Sequence, residues 1–231
     1  MQGLFSYIQR KVMVILSKKE IAKRYILLVI SLFFSAVGVA FTKKAELGVS
    51  PISSTANVMS YRFSSLSLGT WLIIWNCLLI LGQILILRRK FQLIQLLQIP
   101  LSFLFGYFTD FGLWLVSFIH VDAYPVRLIM VFVGIIILGL GVSLSVTANV
   151  IMNSGEAFVK AVSDTIHKSF GNVKIAFDVG CIVTAIILSL IFFNFTIIGT
   201  REGTIISALL TGVVVKFFQK YLHEPVNRLV S

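Results

Sequence analysis

Several stretches of this chain stay apolar for about 20 residues at a time, and that length limits what the chain can become. A helix needs roughly 17–25 apolar residues to cross a bilayer, and only a helix or a closed barrel satisfies its own backbone in hydrocarbon. Six such stretches fall at residues 25–41, 69–87, 96–118, 127–146, 175–193 and 204–221. Apolar residues make up 58% of the chain and charged residues only 13%, too few polar groups to cover a soluble domain. The expected fold class is all-α: a polytopic membrane helix bundle of about six transmembrane helices, embedded in the lipid bilayer.

The net charge of +11 does not point to nucleic acid, because the basic residues collect at the ends of the spans. Lys18, Lys19, Lys23 and Arg24 precede the first, Arg88, Arg89 and Lys90 separate the second from the third, and Lys216 and Lys220 close the sixth. Under the positive-inside rule these ends are cytoplasmic, which places both termini inside. Lys43, Lys44 and Arg62 fall on the other side and count against that arrangement. The expected organisation is a basic amphipathic segment at 1–24 lying on the membrane surface, a first three-span unit at 25–118, an outer linker at 119–126, a second three-span unit at 127–221 and a cytoplasmic tail at 222–231. Cys77 and Cys181 sit singly inside apolar spans and read as buried free thiols.

The two units echo each other. At an offset of 103 residues, Gly38, Val39 and Ala45 recur as Gly141, Val142 and Ala148. With small shifts Gly69 matches Gly171, Asn76 matches Asp178 and Gly106 matches Gly212. Three spans per copy is an odd number, so the second copy is expected to insert upside down, as an inverted repeat. Two segments too polar to cross lipid, 50–66 and 153–170, occupy equivalent places and read as short helices. Ser50-Pro51 supplies a hydroxyl at the N-cap and proline at the first helical position. Asn153 and Glu156 have the spacing of a capping box.

Candidate chemistry is sparse. The sequence offers no metal cluster, nucleophile–base pair or Gly-rich nucleotide loop, so neither an enzyme, a metal nor a cofactor is expected. Free N–H groups at a helix start form an anion site, and two such starts would converge near the midplane of an inverted repeat. The expected substrate-binding residues are therefore Glu46, Gly48, Ser50, Pro51, Asn153, Ser154 and Glu156, joined by the intramembrane carboxylates Asp110 and Asp178. Asp178 also stands four residues from Lys174, which suits an ordinary helical ion pair. Asp110 equally suits a structural hydrogen bond to a neighbouring helix.

Gly38, Ala45, Leu47, Gly48, Val49 and Pro51 after the first span resemble the pattern of the YczE/YyaS/YitT group of bacterial membrane proteins. The second half adds Gly139, Gly141 and Ala148, then Gly199-Thr200, Gly203-Thr204 and Gly212, and Asp110 resembles an aspartate that the group carries in its third span. The turn 150–154 departs from the pattern. The resemblance implies a small multi-pass protein of a bacterial cytoplasmic (inner) membrane and little chemistry. The expected function is that of a transporter or permease for a small solute, a metabolite bearing an anionic group. The rival expectations are a substrate-binding subunit of a larger transport complex and a non-transporting accessory protein. A homodimer or an energising subunit is the expected protein partner.

Overall fold

The computed structural model describes residues 18–230, and within them the chain forms eight α-helices: α1 (Lys18–Lys44), α2 (Pro51–Arg62), α3 (Leu68–Leu87), α4 (Gln98–Leu115), α5 (Tyr124–Ala148), α6 (Ser154–Ile166), α7 (Phe170–Phe192) and α8 (Glu202–Val230). Two 3-10 turns, Arg88–Lys90 and Leu93–Leu97, join α3 to α4. All but α2 and α6 are long and apolar enough to cross a membrane, giving the six spans the sequence implies. The short helices stand where the polar segments predict, each ending a few residues early. His167 stops α6 in the left-handed conformation, with its backbone N–H bonded to the Ser163 carbonyl.

Two boundaries and the burial of one cysteine differ from the sequence expectation. α1 already begins at Lys18, so Lys18–Arg24 form its opening turns rather than part of a separate surface segment; residues 1–17 of that segment lie outside the described residues. α8 runs on through the expected tail to Val230 with Pro225 inside it. Of the two unpaired thiols, Cys181 is buried but Cys77 is partly exposed.

The core is the crossing of α1 and α5, the most buried spans. A Cβ on Gly38 would lie 2.5 Å from the Leu138 amide nitrogen and 2.7 Å from the Gly134 carbonyl oxygen. A Cβ on Gly141 would lie 2.5 Å from the Ser35 nitrogen and 2.7 Å from the Ser31 carbonyl oxygen. Backbones approach this closely only where small residues meet. The pairs are reciprocal, because the 103-residue offset carries Ser31, Ser35 and Gly38 onto Gly134, Leu138 and Gly141. Rising numbers in α1 meet falling numbers in α5, so the helices are antiparallel. A two-fold relating antiparallel helices lies perpendicular to them, in the membrane plane, which is the geometry of an inverted repeat.

The other contacts follow the same axis. α1 packs on α4 as α5 packs on α8, and the short helices cross over, α2 onto α7 and α6 onto α3. Their starts, Pro51 and Ser154, are themselves 103 residues apart. The symmetry breaks at one seam. α3 and α4 pack closely, with Gly69 against the Gly106 carbonyl. Their counterparts α7 and α8 scarcely touch, and at Gly171 and Gly212 an added Cβ would meet nothing within 4 Å.

Overpacking a close helix contact typically costs about 1–3 kcal/mol. Gly38→Ala is therefore expected to lower the thermal unfolding midpoint of the purified protein clearly. Gly180→Ala, where a Cβ meets nothing within 4 Å, is expected to leave it unchanged or slightly raised through better helix propensity. Equal midpoints for the two variants would remove the crossing from its central place in the fold.

Candidate functional site

α2 and α6 begin at the same point. A Cβ on Gly155 would lie 1.8 Å from Cδ1 of Ile52, its own repeat counterpart, so the two starts meet on the axis. Their N-caps share one backbone conformation, with φ and ψ of −56° and 149° at Ser50 and −58° and 149° at Asn153. Neither side chain makes the expected cap bond. Ser50 Oγ instead donates to Ser53 Oγ at 3.0 Å. Among the described residues no hydrogen bond joins Glu156 to Asn153, so the capping box is not formed. By contrast, Ser67 and Ser169 do cap α3 and α7, accepting from the Thr70 and Asn172 amides at 3.0 and 3.4 Å. The helix starts at the axis lack side-chain caps; those of α3 and α7 have them.

Around this meeting point lies a cavity of about 420 Å³, within the size range of small-molecule sites. Ser50, Pro51, Asn153, Ser154, Glu156 and Asp178 all line it, so most of the residues expected from the sequence come together here. Its other charged lining residue is Lys174, whose Nζ donates to Asp178 Oδ1. No hydrogen bond to the Glu156 carboxylate is found among the described residues. Glu156 is partly exposed, but what it faces is the cavity. Burial pushes its carboxyl above the usual carboxylate range, with Lys174 pulling it down and Asp178 pushing it further up.

Sequence reasoning missed much of the wall. Gln83 and Gln98 form a buried reciprocal amide pair at 3.1 and 3.2 Å, and Gln83 Nε2 also donates to the Ser154 carbonyl at 3.1 Å. This ties the start of α6 to α3 and α4. Polar amides inside apolar spans were the available signal. Asn76, the repeat counterpart of Asp178, also faces the cavity. Ser35 and Trp75 line it as well, and their Oγ and Nε1 atoms are buried without a hydrogen-bond partner, an arrangement that costs free energy unless something else pairs with them.

The remaining expected residues lie outside the cavity. Asp110 is the hydrogen-bonding partner of a neighbouring helix: Oδ2 accepts from Ser67 Oγ at 2.5 Å and Oδ1 from the Gly69 amide at 2.8 Å. It thereby latches α4 to the start of α3, where a carboxylate complements the helix dipole. Glu46 pairs with Arg127 at 2.9 Å. Gly48 has φ of +107° and forms an isolated antiparallel bridge with Thr200, and the Gly203 amide donates to the adjacent Leu47 carbonyl at 2.8 Å. These contacts close the end of the bundle that carries Lys44, remote from Lys18–Arg24 at the start of α1 and from the basic end of α8. Lys43, which reads in the sequence as a topology signal, instead donates to Asn57 Oδ1 at 2.6 Å and lies over the Tyr61 ring.

Fold and site together define a multi-pass helical membrane protein with a binding-sized cavity on the axis of an inverted repeat. The chain belongs to the family of unknown function DUF6198, whose model matches residues 22–220. That match does not carry the YczE/YyaS/YitT name. No curated protein and no solved structure matches the chain.

Losing a helix cap costs about 1 kcal/mol. Asp110→Ala is accordingly expected to lower thermal stability by about that much while leaving binding of any cavity ligand unchanged, as read by titration of the purified protein. Lost affinity with unchanged stability would instead make Asp110 part of the site.

Proposed function

We propose that this chain moves a small, amine-bearing solute across the bilayer without converting it chemically, binding it at Glu156 where the two short helices meet. The observation that carries this reading is the position of the cavity. It lies on the axis relating two inverted three-span units, between short helices that begin without side-chain caps, and secondary transporters place their sites in that setting. The apolar ends packed around Ala45 and Leu47 on one side and around Ala148 and Ile151 on the other supply two closures between which such a site would be exposed alternately.

Charge favours an amine. The paired helix starts alone would suit an anion, but Glu156 is the third residue of α6 and its carboxylate already occupies that field. Of the charged groups lining the cavity, Lys174 and Asp178 of α7 satisfy each other, and α1, α2, α3, α4, α5 and α8 present only neutral side chains. Two carboxylates thus share one cation, and Glu156 has no ion-pair partner of its own among the described residues. The resemblance to the YczE/YyaS/YitT group supports a bacterial cytoplasmic membrane as the location, and the basic span ends support cytoplasmic termini.

Reconstituted into liposomes, the protein is expected to carry small primary amines in preference to carboxylates of equal size. Because burial raises the Glu156 carboxyl, its ionised fraction grows as pH rises through its titration, so amine affinity should strengthen with pH. Glu156→Gln should lose that dependence and bind about tenfold or more weakly, the scale of a lost charge-assisted hydrogen bond, with Asp110→Asn close to wild type. Carboxylate uptake unaffected by Glu156→Gln would sink the assignment.

A further inference from the structure

We infer that the solute is an amphiphile, an amine head on an apolar chain, and that it enters the cavity from the bilayer through the gap between α7 and α8. This rests on the proposed binding of an amine at Glu156, and the lining of the cavity carries it further.

The charged side chains of the cavity form one group, Glu156, Lys174 and Asp178, close enough to influence one another. Val39, Leu72 and Leu138, with Trp75, Phe105 and Val142 packed against them, belong to one apolar cluster that also lines the cavity. A wholly polar solute would leave that cluster without a partner, whereas an alkyl chain would bury against it at about 25 cal/mol per Å² of apolar surface.

The gap supplies the route. Ile175 of α7 and Ala208 and Gly212 of α8 line the cavity and are exposed, and a Cβ on Gly212 would meet nothing within 4 Å. Beside them Val179, Leu209 and Val213 are exposed and apolar. On two membrane-spanning helices such a rim faces lipid rather than water. An apolar chain passes it without desolvation cost, while a hydrated polar solute does not.

The gap is also built into the sequence. In the first unit, Gly69 and Gly106 bring α3 and α4 together, and Asp110, four residues after Gly106, binds the start of α3. In the second unit the residue four after Gly212 is Lys216. An ammonium accepts no hydrogen bond, so it cannot bind the N–H and O–H groups of a helix start as Asp110 does. The second seam therefore lacks the latch of the first.

The test uses the full chain in lipid nanodiscs with Trp71→Phe and Trp114→Phe, which leaves Trp75 in the cavity wall as the sole tryptophan. Bromine quenches tryptophan on contact, so ω-bromododecylamine is the probe, with ω-bromododecanoate and bromopropylamine for comparison. The expected result is saturable quenching by bromododecylamine, well above that by the other two. It should weaken about tenfold or more in Glu156→Gln, as for other lost charge-assisted hydrogen bonds, and also fall in Gly212→Phe and Ala208→Phe. At Gly212 a Cβ meets nothing within 4 Å, so the substitution begins without a backbone clash, and an unchanged thermal unfolding midpoint checks that the variant is folded. Quenching unchanged in both portal variants would overturn entry through the gap. Strong, Glu156-dependent quenching by bromopropylamine alone would overturn the amphiphile and leave the polar-amine transport reading intact. Quenching as expected without movement of the dodecylamine between leaflets of liposomes would uphold the inference and remove the transport reading.

Discussion

The contact on which the rest of this fold depends is the crossing of α1 and α5. In lipid, helices gain nothing from hiding apolar side chains from one another, because the surrounding tails are equally apolar; close backbone packing has to do that work. Gly38 and Gly141 each remove the side chain that would hold the two backbones apart, and each sits against the other helix at the equivalent place. One such contact would join two helices. Two reciprocal contacts also fix an axis, and the axis decides where the short helices end up. Because α2 crosses to α7 and α6 to α3, neither three-span unit is complete alone, and the cavity exists only once the two have been packed together.

The same geometry concentrates polarity where lipid would otherwise forbid it. Uncapped helix starts are costly in an apolar medium unless something satisfies them. α3 and α7 solve this locally with Ser67 and Ser169. α2 and α6 do not, and their starts lie beside a carboxylate, an ion pair and two buried donors without partners. A protein selected for stability alone would have no reason to keep those features together, and expensive polar groups at membrane depth mark functional sites.

The fold was largely legible in the sequence because its strongest signals are one-dimensional. Span length, basic ends, the glycine echo at 103 residues and the starts at Pro51 and Ser154 can all be read without knowing what touches what. The site was half legible. Glu156, Asp178 and the helix starts carry local signals, but whether a residue faces the cavity or a neighbouring helix depends on rotation about a helix axis, which an almost uniformly apolar span does not encode. Asp110 illustrates this: its rarity marks it as significant, yet only the placement of α3 reveals that it caps Ser67 and Gly69. Lys43 misleads in the opposite direction, since a lysine near a span end reads as a charge in water until Asn57 and Tyr61 are found around it. Ser35, Trp75 and the Gln83–Gln98 pair depend on contacts between distant segments and have no signature of their own.

The exchange of Asp110 for Lys216 ties two properties of the chain that would otherwise be independent. An inverted duplication begins with the same residue at opposite faces of the membrane, and the two faces do not tolerate the same charge. A lysine near the basic end of α8 helps to hold the chain in one orientation during insertion, and an aspartate at the far end leaves that signal undisturbed. Yet Asp110 also joins its seam to the start of α3, and Lys216 makes no such bond among the described residues. Divergence that gave the duplicated protein a single orientation would thus, at this position, have unfastened one of its two halves, turning a matched pair into a closed side and an open one.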